Sequence, residues 1–357
     1  MKLKKVLFIA NTDRHIILCH IPYIKMFIEN GYDVHIVTNT DKEIVEGTKK
    51  IKLSLRRNPF NLNNIKAIFE IRKLAKKEKY DIISCHTPIG GFLGRIACLG
   101  QKLNTKIFYT VHGFHFHKGS SLFSWFVYYN IEKFLSKYTT CILTMNNEDY
   151  ELSKNKFNCD TYKINGIGYD ESRIKINNPE KLKKELGLEN KYIVTYIAEI
   201  SKRKNQIKLL KTLKKYDLEK ENIVLLLIGD SNIKNFNVSK YKNVIYIDFQ
   251  ETVGDYIEIS DLIISPSLRE GMPLNIIEAM CLNKFIIANN IRGINDIINE
   301  KNGILVPVNN LDKFAEEIIK SKSNQIKIKN NMNKYKVENV IKNVKKIYNK
   351  YLEEKLK

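Results

Sequence analysis

Short apolar runs alternate with amphipathic, lysine-bearing segments from one end of the chain to the other. This alternation predicts a doubly wound α/β architecture, because each buried parallel strand is followed by a helix that crosses back over the sheet. The predicted strands of the first half are residues 5–10, 33–38, 81–86, 105–110 and 141–144, and those of the second half are residues 192–197, 223–228, 244–247, 261–264 and 285–288.

The length of the chain and a break in this pattern predict two domains. A chain of 357 residues, of which 43% are hydrophobic, has enough material for two cores. Turn residues and lysines replace the core pattern between Asn165 and Asn190, and we place a hinge there. We therefore expect domains at residues 1–165 and 166–340, followed by an amphipathic C-terminal helix at 341–357.

A further helix is predicted at residues 62–77. Its larger apolar side chains fall on one face at helical spacing, which is typical of an amphipathic helix. They are Leu62, Ile65, Phe69 and Leu74.

The formal net charge of +21 would draw the protein toward phosphorylated substrates, anionic lipid or nucleic acid. The lysines form no single compact cluster, so the charge also fits a bias of composition. No nucleic-acid-binding motif is present, which makes nucleic acid the least favoured partner. An anionic membrane surface is the favoured one.

Cysteine usage and hydropathy indicate the compartment. The six cysteines lie far apart without a C-x-x-C pair, which favours a reducing cytoplasm over a disulfide scaffold. The first apolar run is shorter than a secretory core, and no run reaches the roughly 18 residues that span a bilayer. We expect a cytoplasmic protein that binds peripherally to the inner face of the plasma membrane.

Two carboxylates, Glu270 and Glu278, surround a predicted strand-to-helix turn in the segment from Ser265 to Met280. Gly271 allows the backbone to approach a ligand closely, and Pro273 suits the first turn of a helix. The start of a helix binds phosphate, so nearby carboxylates would bind sugar hydroxyls instead. This pattern favours a nucleotide-sugar, although the same acids could be a helix-terminal charge and a solvated helix residue.

A cationic loop follows the first strand of the second half. Lys202, Arg203 and Lys204 are consecutive there, and cations in a loop after a strand suit a diphosphate. A solvated surface loop would have the same composition.

The first half carries histidines at three strand ends. His86 precedes a predicted turn at Gly90 and Gly91, which would bind a phosphate or pack against a neighbouring strand. His112, His115 and His117 follow another strand, but no partner cysteine, H-E-x-x-H helix or D-x-D dyad accompanies them, so we predict no metal site. The loop after the first strand lacks G-x-G-x-x-G, which counts against a dinucleotide cofactor; its polar residues are Asp13, Arg14, His15 and His20.

Together these segments resemble the retaining glycosyltransferases of family 4, which have the GT-B fold. The E-x7-E motif is matched by Ser267, Glu270, Gly271, Pro273, Glu278 and Ala279-Met280, and the H-T-P-x-G-G and H-G-F-H segments are similar to those of bacterial enzymes that build capsular, exopolysaccharide or glycoprotein glycans. The resemblance implies two Rossmann-like domains facing a central cleft. The N-terminal domain would bind the acceptor and the C-terminal domain the nucleotide-sugar, and the last helix would pack back toward the N-terminal domain.

The resemblance also implies roles for individual residues. The catalytic residues would be Glu270, His112 and Lys204. The donor would be bound by Lys204, Arg203, Glu270, Gly271, Met272, Pro273, Leu274 and Glu278, and the acceptor side would include His86, Gly90, Gly91, Asp13, Arg14 and His15. Glu199 stands where the family usually has an arginine, whose role is either unfilled or taken by Arg203.

The implied reaction is the retaining, metal-independent transfer of a hexose or N-acetylhexosamine. The donor would be a UDP-sugar, the acceptor a glycan or a polyprenyl-diphosphate-linked glycan, and no cofactor is implied. Two alternatives remain open at this point: a UDP-sugar 2-epimerase of the same fold, and a non-enzymatic basic protein of the membrane surface.

Overall fold

A computed structural model describes residues 3–56, 58, 61–101, 104–323, 328 and 330–353. The chain divides into two compact units, one formed by residues 1–167 together with 337–357 and the other by residues 168–336. The first boundary lies two residues beyond the one expected from the sequence. The second lies four residues before it, because the C-terminal helix begins earlier than expected.

The first unit contains a seven-stranded sheet in which every described pair of strands is parallel. Its order is β3-β2-β1-β4-β5-β6-β7. The strands are β1 (Lys4–Ile9), β2 (Tyr32–Thr38), β3 (Thr48–Lys52), β4 (Ile82–His86), β5 (Lys106–Val111), β6 (Cys141–Thr144) and β7 (Asp160–Lys163).

Helices connect these strands. They are α1 (Asp13–Cys19), α2 (Ile21–Glu29), α3 (Leu62–Glu78), α4 (Pro88–Cys98), α5 (Leu122–Ser124), α6 (Asn130–Ser136) and α7 (Asn147–Lys156), with a π-helical turn at Trp125–Tyr129 between α5 and α6.

The second unit contains a six-stranded parallel sheet of the order β10-β9-β8-β11-β12-β13. Its strands are β8 (Tyr192–Ile197), β9 (Ile223–Ile228), β10 (Val244–Ile247), β11 (Leu262–Ser265), β12 (Ile286–Asn289) and β13 (Gly303–Val306). Its helices are α8 (Pro179–Glu185), α9 (Gln206–Leu213), α10 (Gly254–Glu258), α11 (Leu274–Cys281) and α12 (Leu311–Ser321), with 3₁₀ turns at Glu171–Ile174 and Asn333–Tyr335.

Each unit is thus a doubly wound Rossmann-like domain, as the alternation of apolar runs predicts. Every predicted strand is present, with ends that differ by about one residue. The strands β3, β7 and β13 were missed, and all of them lie at a sheet edge. An edge strand is buried on fewer sides, and Thr48–Lys52 in particular lacks the continuous apolar run that marks a central strand.

The predicted helix at residues 62–77 is present as α3; of its four larger apolar side chains, Leu74 packs against the core and the other three are exposed. Leu62, Ile65 and Phe69 are 79%, 52% and 66% exposed. The buried face instead carries Ala67 and Ile71, with Ala75 one turn further on. Small side chains allow this helix to lie close to α4, so the larger apolar side chains are left on the outside.

The last helix, α13 (Val337–Glu353), packs within the first unit; residues 354–357 of the predicted helix lie outside the described part of the chain. The Tyr348 ring lies 4.2 Å from that of Phe108, and its hydroxyl lies 2.9 Å from Ser84 Oγ. Across the described residues, no helix combines the length and the apolarity of a membrane-spanning segment.

Candidate functional site

The order of the second sheet places two loops side by side. Strands β8 and β11 are hydrogen-bonded neighbours, and the chain leaves them in opposite directions along the sheet, toward β9 and toward β12. Such a switch point opens a crevice at the carboxyl ends of the strands, where α/β proteins bind ligands. The loops that follow these two strands are residues 198–205 and 266–273, which contain the predicted cations and Glu270.

The two loops bring Lys204, Arg203 and Glu270 into one charged cluster. Lys204 Nζ lies 2.5 Å from Glu270 Oε1, and Arg203 Nη1 lies 3.3 Å from Glu270 Oε2. Each carboxylate oxygen therefore has its own cation. Glu270 and Lys204 are buried, whereas Arg203 is partly exposed.

Electrostatics keep Glu270 ionised. Burial alone raises the pKa of its carboxyl, but Lys204 and Arg203 outweigh burial and leave that pKa below its usual value. The cluster thus presents an anion flanked by two cations, a set of groups that can accept hydrogen bonds from hydroxyls and donate them to phosphate oxygens.

Contacts between the loops hold the cluster in place. The Leu268 N–H donates to the Arg203 carbonyl over 2.9 Å, and Arg203 Nη1 donates to the Arg269 carbonyl over 3.1 Å. Ser267, part of the predicted motif, is fully buried with its hydroxyl 2.7 Å from the Tyr196 hydroxyl. Ser267 therefore fixes the 266–273 loop to strand β8, which carries Tyr196.

Arg292 and Gly293, which follow β12, also hold this loop in place, and neither was predicted from the sequence. Arg292 is buried and its Nε donates to the Glu270 carbonyl over 3.3 Å. Gly293 has a φ of +79°, and a Cβ built on it would lie 2.1 Å from the Gly271 carbonyl oxygen. The close approach of the two backbones requires glycine here.

Met272 and Pro273 lead into α11, whose first residue is Leu274. Pro273 is the N-cap rather than the first helical residue, with extended backbone dihedrals and no side-chain capping hydrogen bond. The start of α11 therefore lies three residues beyond Gly271, and Glu278 lies one turn inside the helix, as predicted.

Glu278 is buried and has a cationic partner that the sequence did not reveal. Arg173 Nε lies 2.8 Å from Glu278 Oε1, and Arg173 Nη1 donates to the Glu251 carbonyl over 3.1 Å. Burial raises the pKa of the Glu278 carboxyl, and Arg173 offsets only part of that effect. Arg173 lies in a 3₁₀ turn 105 residues earlier in the chain, so no local spacing signals the pair.

Glu199 lies beside the cluster. Its Oε1 is 3.6 Å from Arg203 Nη2, and its Oε2 accepts a hydrogen bond from Asn232 Nδ2 over 2.8 Å. Glu199 is an acid and cannot supply the positive charge of the arginine that the family usually has at this position, whereas Arg203 does bring a guanidinium to the Glu270 carboxylate.

Four histidines meet in the first unit: His15 and His86, predicted for the acceptor side, His112, predicted to be catalytic, and His20. His15 and His20 follow β1, His86 ends β4 and His112 follows β5, and these three strands are adjacent. His15 Nε2 lies 3.2 Å from both His112 Nε2 and His20 Nε2. The ring centroids of His20 and His86 are 3.8 Å apart.

Burial determines the charge of these four histidines. It lowers the pKa of His15 to about 4 and lowers the pKa values of His20, His86 and His112 well below their usual range. All four imidazoles are therefore neutral at neutral pH. The other two histidines of the loop lie elsewhere, since the His115 ring contacts Tyr128 and His117 Nδ1 contacts the Lys118 carbonyl.

The remaining predicted acceptor residues differ in their surroundings. The Asp13 carboxylate is hydrogen-bonded to Thr38, Thr40 and Lys50; burial raises its pKa, but these contacts outweigh burial and lower it overall. Arg14 is exposed. The carboxylate of Asp13 thus anchors the start of α1 to strands β2 and β3.

Gly90 and Gly91 form no turn, contrary to the prediction, because they lie inside α4. A Cβ at Gly90 would lie 2.7 Å from the Ile9 carbonyl oxygen, and one at Gly91 would lie 2.3 Å from the Tyr109 ring. Both glycines are buried and allow α4 to pack closely on the sheet. Of the two interpretations of this segment, packing is the one that the contacts support.

Two family models match the chain, one in each half. The model described as "Glycosyl transferase 4-like" matches residues 5–146, and the model described as "Glycosyl transferases group 1" matches residues 178–339. The two matches include the histidines of the first unit and the Lys204–Glu270 cluster of the second.

Individual proteins are similar over most of their length. EpsD of Bacillus subtilis (strain 168), named as a glycosyltransferase, is 32% identical over 329 residues, which are 88% of this chain and 86% of EpsD. The UDP-Gal:α-D-GlcNAc-diphosphoundecaprenol α-1,3-galactosyltransferase of Escherichia coli is 31% identical over 320 residues, 84% of this chain and 82% of that enzyme. HepE of Anabaena, solved in complex with UDP and glucose, superimposes with a TM-score of 0.77 at 17% identity over 97% of this chain and 100% of HepE, which shows a common fold.

Proposed function

Because this chain belongs to the bacterial family 4 glycosyltransferases of the GT-B fold, we propose that it transfers a hexose or N-acetylhexosamine from a UDP-sugar with retention of configuration. The observation that carries the proposal is the pairing of both Glu270 carboxylate oxygens with cations at the switch point of the second sheet. HepE, which shares the fold, binds UDP and glucose, and the E. coli relative is named for a UDP-Gal donor.

In the proposed donor complex, Lys204 and Arg203 contact the diphosphate beside the start of α11. Glu270 then accepts hydrogen bonds from hydroxyls of the donor sugar, and Glu278 accepts them from the ribose. Gly271, Met272, Pro273 and Leu274 supply the backbone that approaches the donor. Charge complementarity supports this arrangement, because two cations and a helix N-terminus favour an anionic leaving group.

The proposed reaction occurs on one face of the sugar. The bond from the anomeric carbon to the diphosphate oxygen breaks, a bond from that carbon to the acceptor oxygen forms, and the acceptor proton passes to the departing phosphate. Lys204 and Arg203 stabilise the charge that develops on the diphosphate, so the proposed transfer needs no metal ion. His112 is proposed to contact a hydroxyl of the transferred sugar.

The proposed acceptor is a glycan carried on a polyprenyl diphosphate. The E. coli relative is named for an acceptor of this kind, and the S. aureus relative CapM, 26% identical over 338 residues, is named for capsular polysaccharide biosynthesis. His86, Asp13, Arg14 and His15 remain proposed acceptor-side residues. Gly90 and Gly91 contribute only structurally, because they allow α4 to pack closely on the sheet.

We expect the purified protein to release UDP from one member of a panel of UDP- and GDP-sugars only when a polyprenyl-diphosphate-linked N-acetylglucosamine is added. The product should carry the sugar in the anomeric configuration of the donor, as measured by NMR of the glycan, and a metal chelator should not abolish the reaction. Formation of a 2-epimer without any acceptor would instead indicate the epimerase, and no response to any donor would reject an enzyme of this class.

We further propose that the protein binds the anionic inner surface of the plasma membrane. Leu122, Phe123 and Phe126 are 88%, 64% and 78% exposed on consecutive helical turns. Exposed lysines at positions 118, 133 and 137 lie on either side of them in the chain. Exposed apolar side chains with nearby cations are the features by which peripheral proteins bind anionic bilayers.

Replacing Leu122, Phe123 and Phe126 together with serine should weaken binding to phosphatidylglycerol vesicles by at least about tenfold, since each buried apolar side chain contributes roughly 1.5–3 kcal/mol. Vesicle co-sedimentation measures the effect. Val308→Ser, which removes a single exposed apolar side chain from the second unit, is the matched control and should bind like the wild type. Equal binding of the triple variant and the wild type would contradict this surface.

A further inference from the structure

Glu278 differs from Glu270 in how its carboxylate is held. Each Glu270 oxygen has its own cation, whereas Arg173 contacts only one oxygen of Glu278, with Nε 2.8 Å from Oε1. Among the described residues, none donates a hydrogen bond to Glu278 Oε2. A carboxylate oxygen accepts up to two hydrogen bonds, so Oε2 is available to a donor that is not part of the protein.

Arg173 is held in place by contacts on two sides. Its Nε donates to Glu278 Oε1, and its Nη1 donates to the Glu251 carbonyl over 3.1 Å. Its backbone is held as well, because the Val253 N–H donates to the Arg173 carbonyl over 2.7 Å. Arg173 therefore reaches Glu278 from a defined position, although its side chain is 26% exposed.

The turn that carries Arg173 packs tightly on the start of α10. Asp170 caps this turn, and its Oδ1 accepts a hydrogen bond from the Ser172 N–H over 2.8 Å. A Cβ on Gly254 would lie 2.3 Å from the Lys175 carbonyl oxygen and 2.5 Å from that of Ile174. The turn is thus fixed by its surroundings, as is required of a segment that preorganises a binding group.

Arg173 lies at the edge of the sheet where the donor is proposed to bind. Glu251 and Val253 belong to the loop after β10, and Glu278 belongs to α11, which follows β11. The strands of this sheet are parallel, so the loops after β8, β10 and β11 leave from the same edge. Arg173 therefore joins the loop after β10 to the helix that follows the Glu270 loop.

We propose that Arg173 is a positioning residue of the donor site and determines its preference for a ribonucleotide. By occupying Oε1, Arg173 orients the Glu278 carboxylate so that Oε2 accepts a hydrogen bond from a ribose hydroxyl. A nucleotide without ribose hydroxyls would leave the buried carboxylate without that partner, which lowers its affinity. This inference rests on the proposed function, which assigns Glu278 to the ribose.

The charge of Glu278 depends on the same contact. Burial raises the pKa of its carboxyl, Arg173 lowers it, and Asp170 raises it. Cys281, on the same helix, is uncharged near neutral pH, because burial raises the pKa of its thiol to about 11. Removing Arg173 should therefore raise the pKa of Glu278 further, so that affinity requiring the carboxylate is lost at a higher pH than in the wild type as the solution is acidified.

The test compares UDP with 2′,3′-dideoxy-UDP, which lacks the ribose hydroxyls, by calorimetric titration of the full-length protein. The wild type should bind UDP about 10- to 100-fold more tightly, the contribution expected of one hydrogen bond to a charged group. Arg173→Gln should lose most of this preference by weakening UDP binding alone, and its UDP affinity should fall at a higher pH. Arg173→Lys, which keeps the charge, should retain part of the preference.

Lys175→Gln is the matched control, because it removes an exposed cation two residues away in the same segment. It should bind both nucleotides like the wild type. Circular dichroism establishes whether each variant is folded. If Arg173→Gln unfolds, the double variant Arg173→Gln with Glu278→Gln decides the question, since it leaves no unpaired buried charge and should lack the preference.

The proposal is overturned if the folded single or double variant prefers UDP as strongly as the wild type. It is also overturned if Arg173→Gln loses affinity equally for both nucleotides, the result expected of a purely structural role. A wild type that transfers sugar but binds both nucleotides equally would reject this inference and leave the proposed function intact. A wild type that binds neither nucleotide and transfers no sugar would refute both.

Discussion

Lys204→Ala is expected to lower kcat for sugar transfer by about 10³-fold, the loss typical when one group that stabilises developing charge is removed. The Lys204 ammonium is buried and lies 2.5 Å from Glu270 Oε1, where the proposed leaving diphosphate is bound. Its contribution is greatest when charge develops on the leaving group, so kcat should fall more than KM rises. Steady-state kinetics with the preferred UDP-sugar measure both.

The matched control is Lys202→Ala. Lys202 lies on the same loop two residues away and is exposed, so the same charge is removed without opening the buried pair. This variant should keep nearly full activity. Equal losses for the two variants would show that the loop acts only through its overall charge, and full activity of folded Lys204→Ala would refute the proposed donor site.

Removing the partner of a buried charge also destabilises a protein. The effect of Lys204→Ala on catalysis must therefore be separated from its effect on stability. Lys204→Ala leaves the Glu270 carboxylate with Arg203 alone, which we expect to cost no more than about 3 kcal/mol of unfolding free energy. A double variant, Lys204→Met with Glu270→Leu, removes both charges and should recover that stability. Sugar transfer should remain lost in the double variant, because catalysis requires the charges themselves.

Sequence was sufficient for the central strands. The resemblance to family 4 implied that Lys204 and Glu270 serve one donor site, and the structure brings them together because β8 and β11, the first and fourth strands of the second sheet, are neighbours. The partners Arg173 and Arg292 could not be predicted, because they reach Glu278 and Glu270 from other segments through side-chain positions that no local pattern encodes.

The histidines show the same limit. In the sequence, His112 is close to His115 and His117. In the folded sheet it lies close to His15, His20 and His86 instead. The second grouping depends on the neighbouring carboxyl ends of β1, β4 and β5. The order of strands in a sheet follows from long-range pairing, which a short motif does not contain.

Helix α3 shows a different limit. A helical apolar stripe indicates amphipathicity, but it does not determine which side packs inward when the opposite side carries small residues. Ala67 and Ala75 allow close contact with the neighbouring helix, so the larger Leu62 and Phe69 remain exposed.

Gly293→Ala is expected to destabilise the second unit by about 4 kcal/mol, near the upper end of single-residue effects. The added methyl would lie 2.1 Å from the Gly271 carbonyl oxygen, and the φ of +79° disfavours any side chain. The loop that carries Glu270 would have to move away to relieve the clash. Because misplacement by about 1 Å can cost 10²-fold in rate, kcat/KM for the donor should fall by at least about that factor in the variant that remains folded.

Gly187→Ala separates backbone strain from the clash. Gly187 lies in the same unit with a φ of +65°, but nothing lies within 4 Å of the position of its Cβ. This variant should lose only the roughly 1–2 kcal/mol that a left-handed alanine costs, and it should keep its transfer activity. Chemical denaturation and donor kinetics of both variants make the comparison. Similar losses of stability in the two variants, with transfer intact in both, would mean that the contact between Gly293 and Gly271 does not position Glu270.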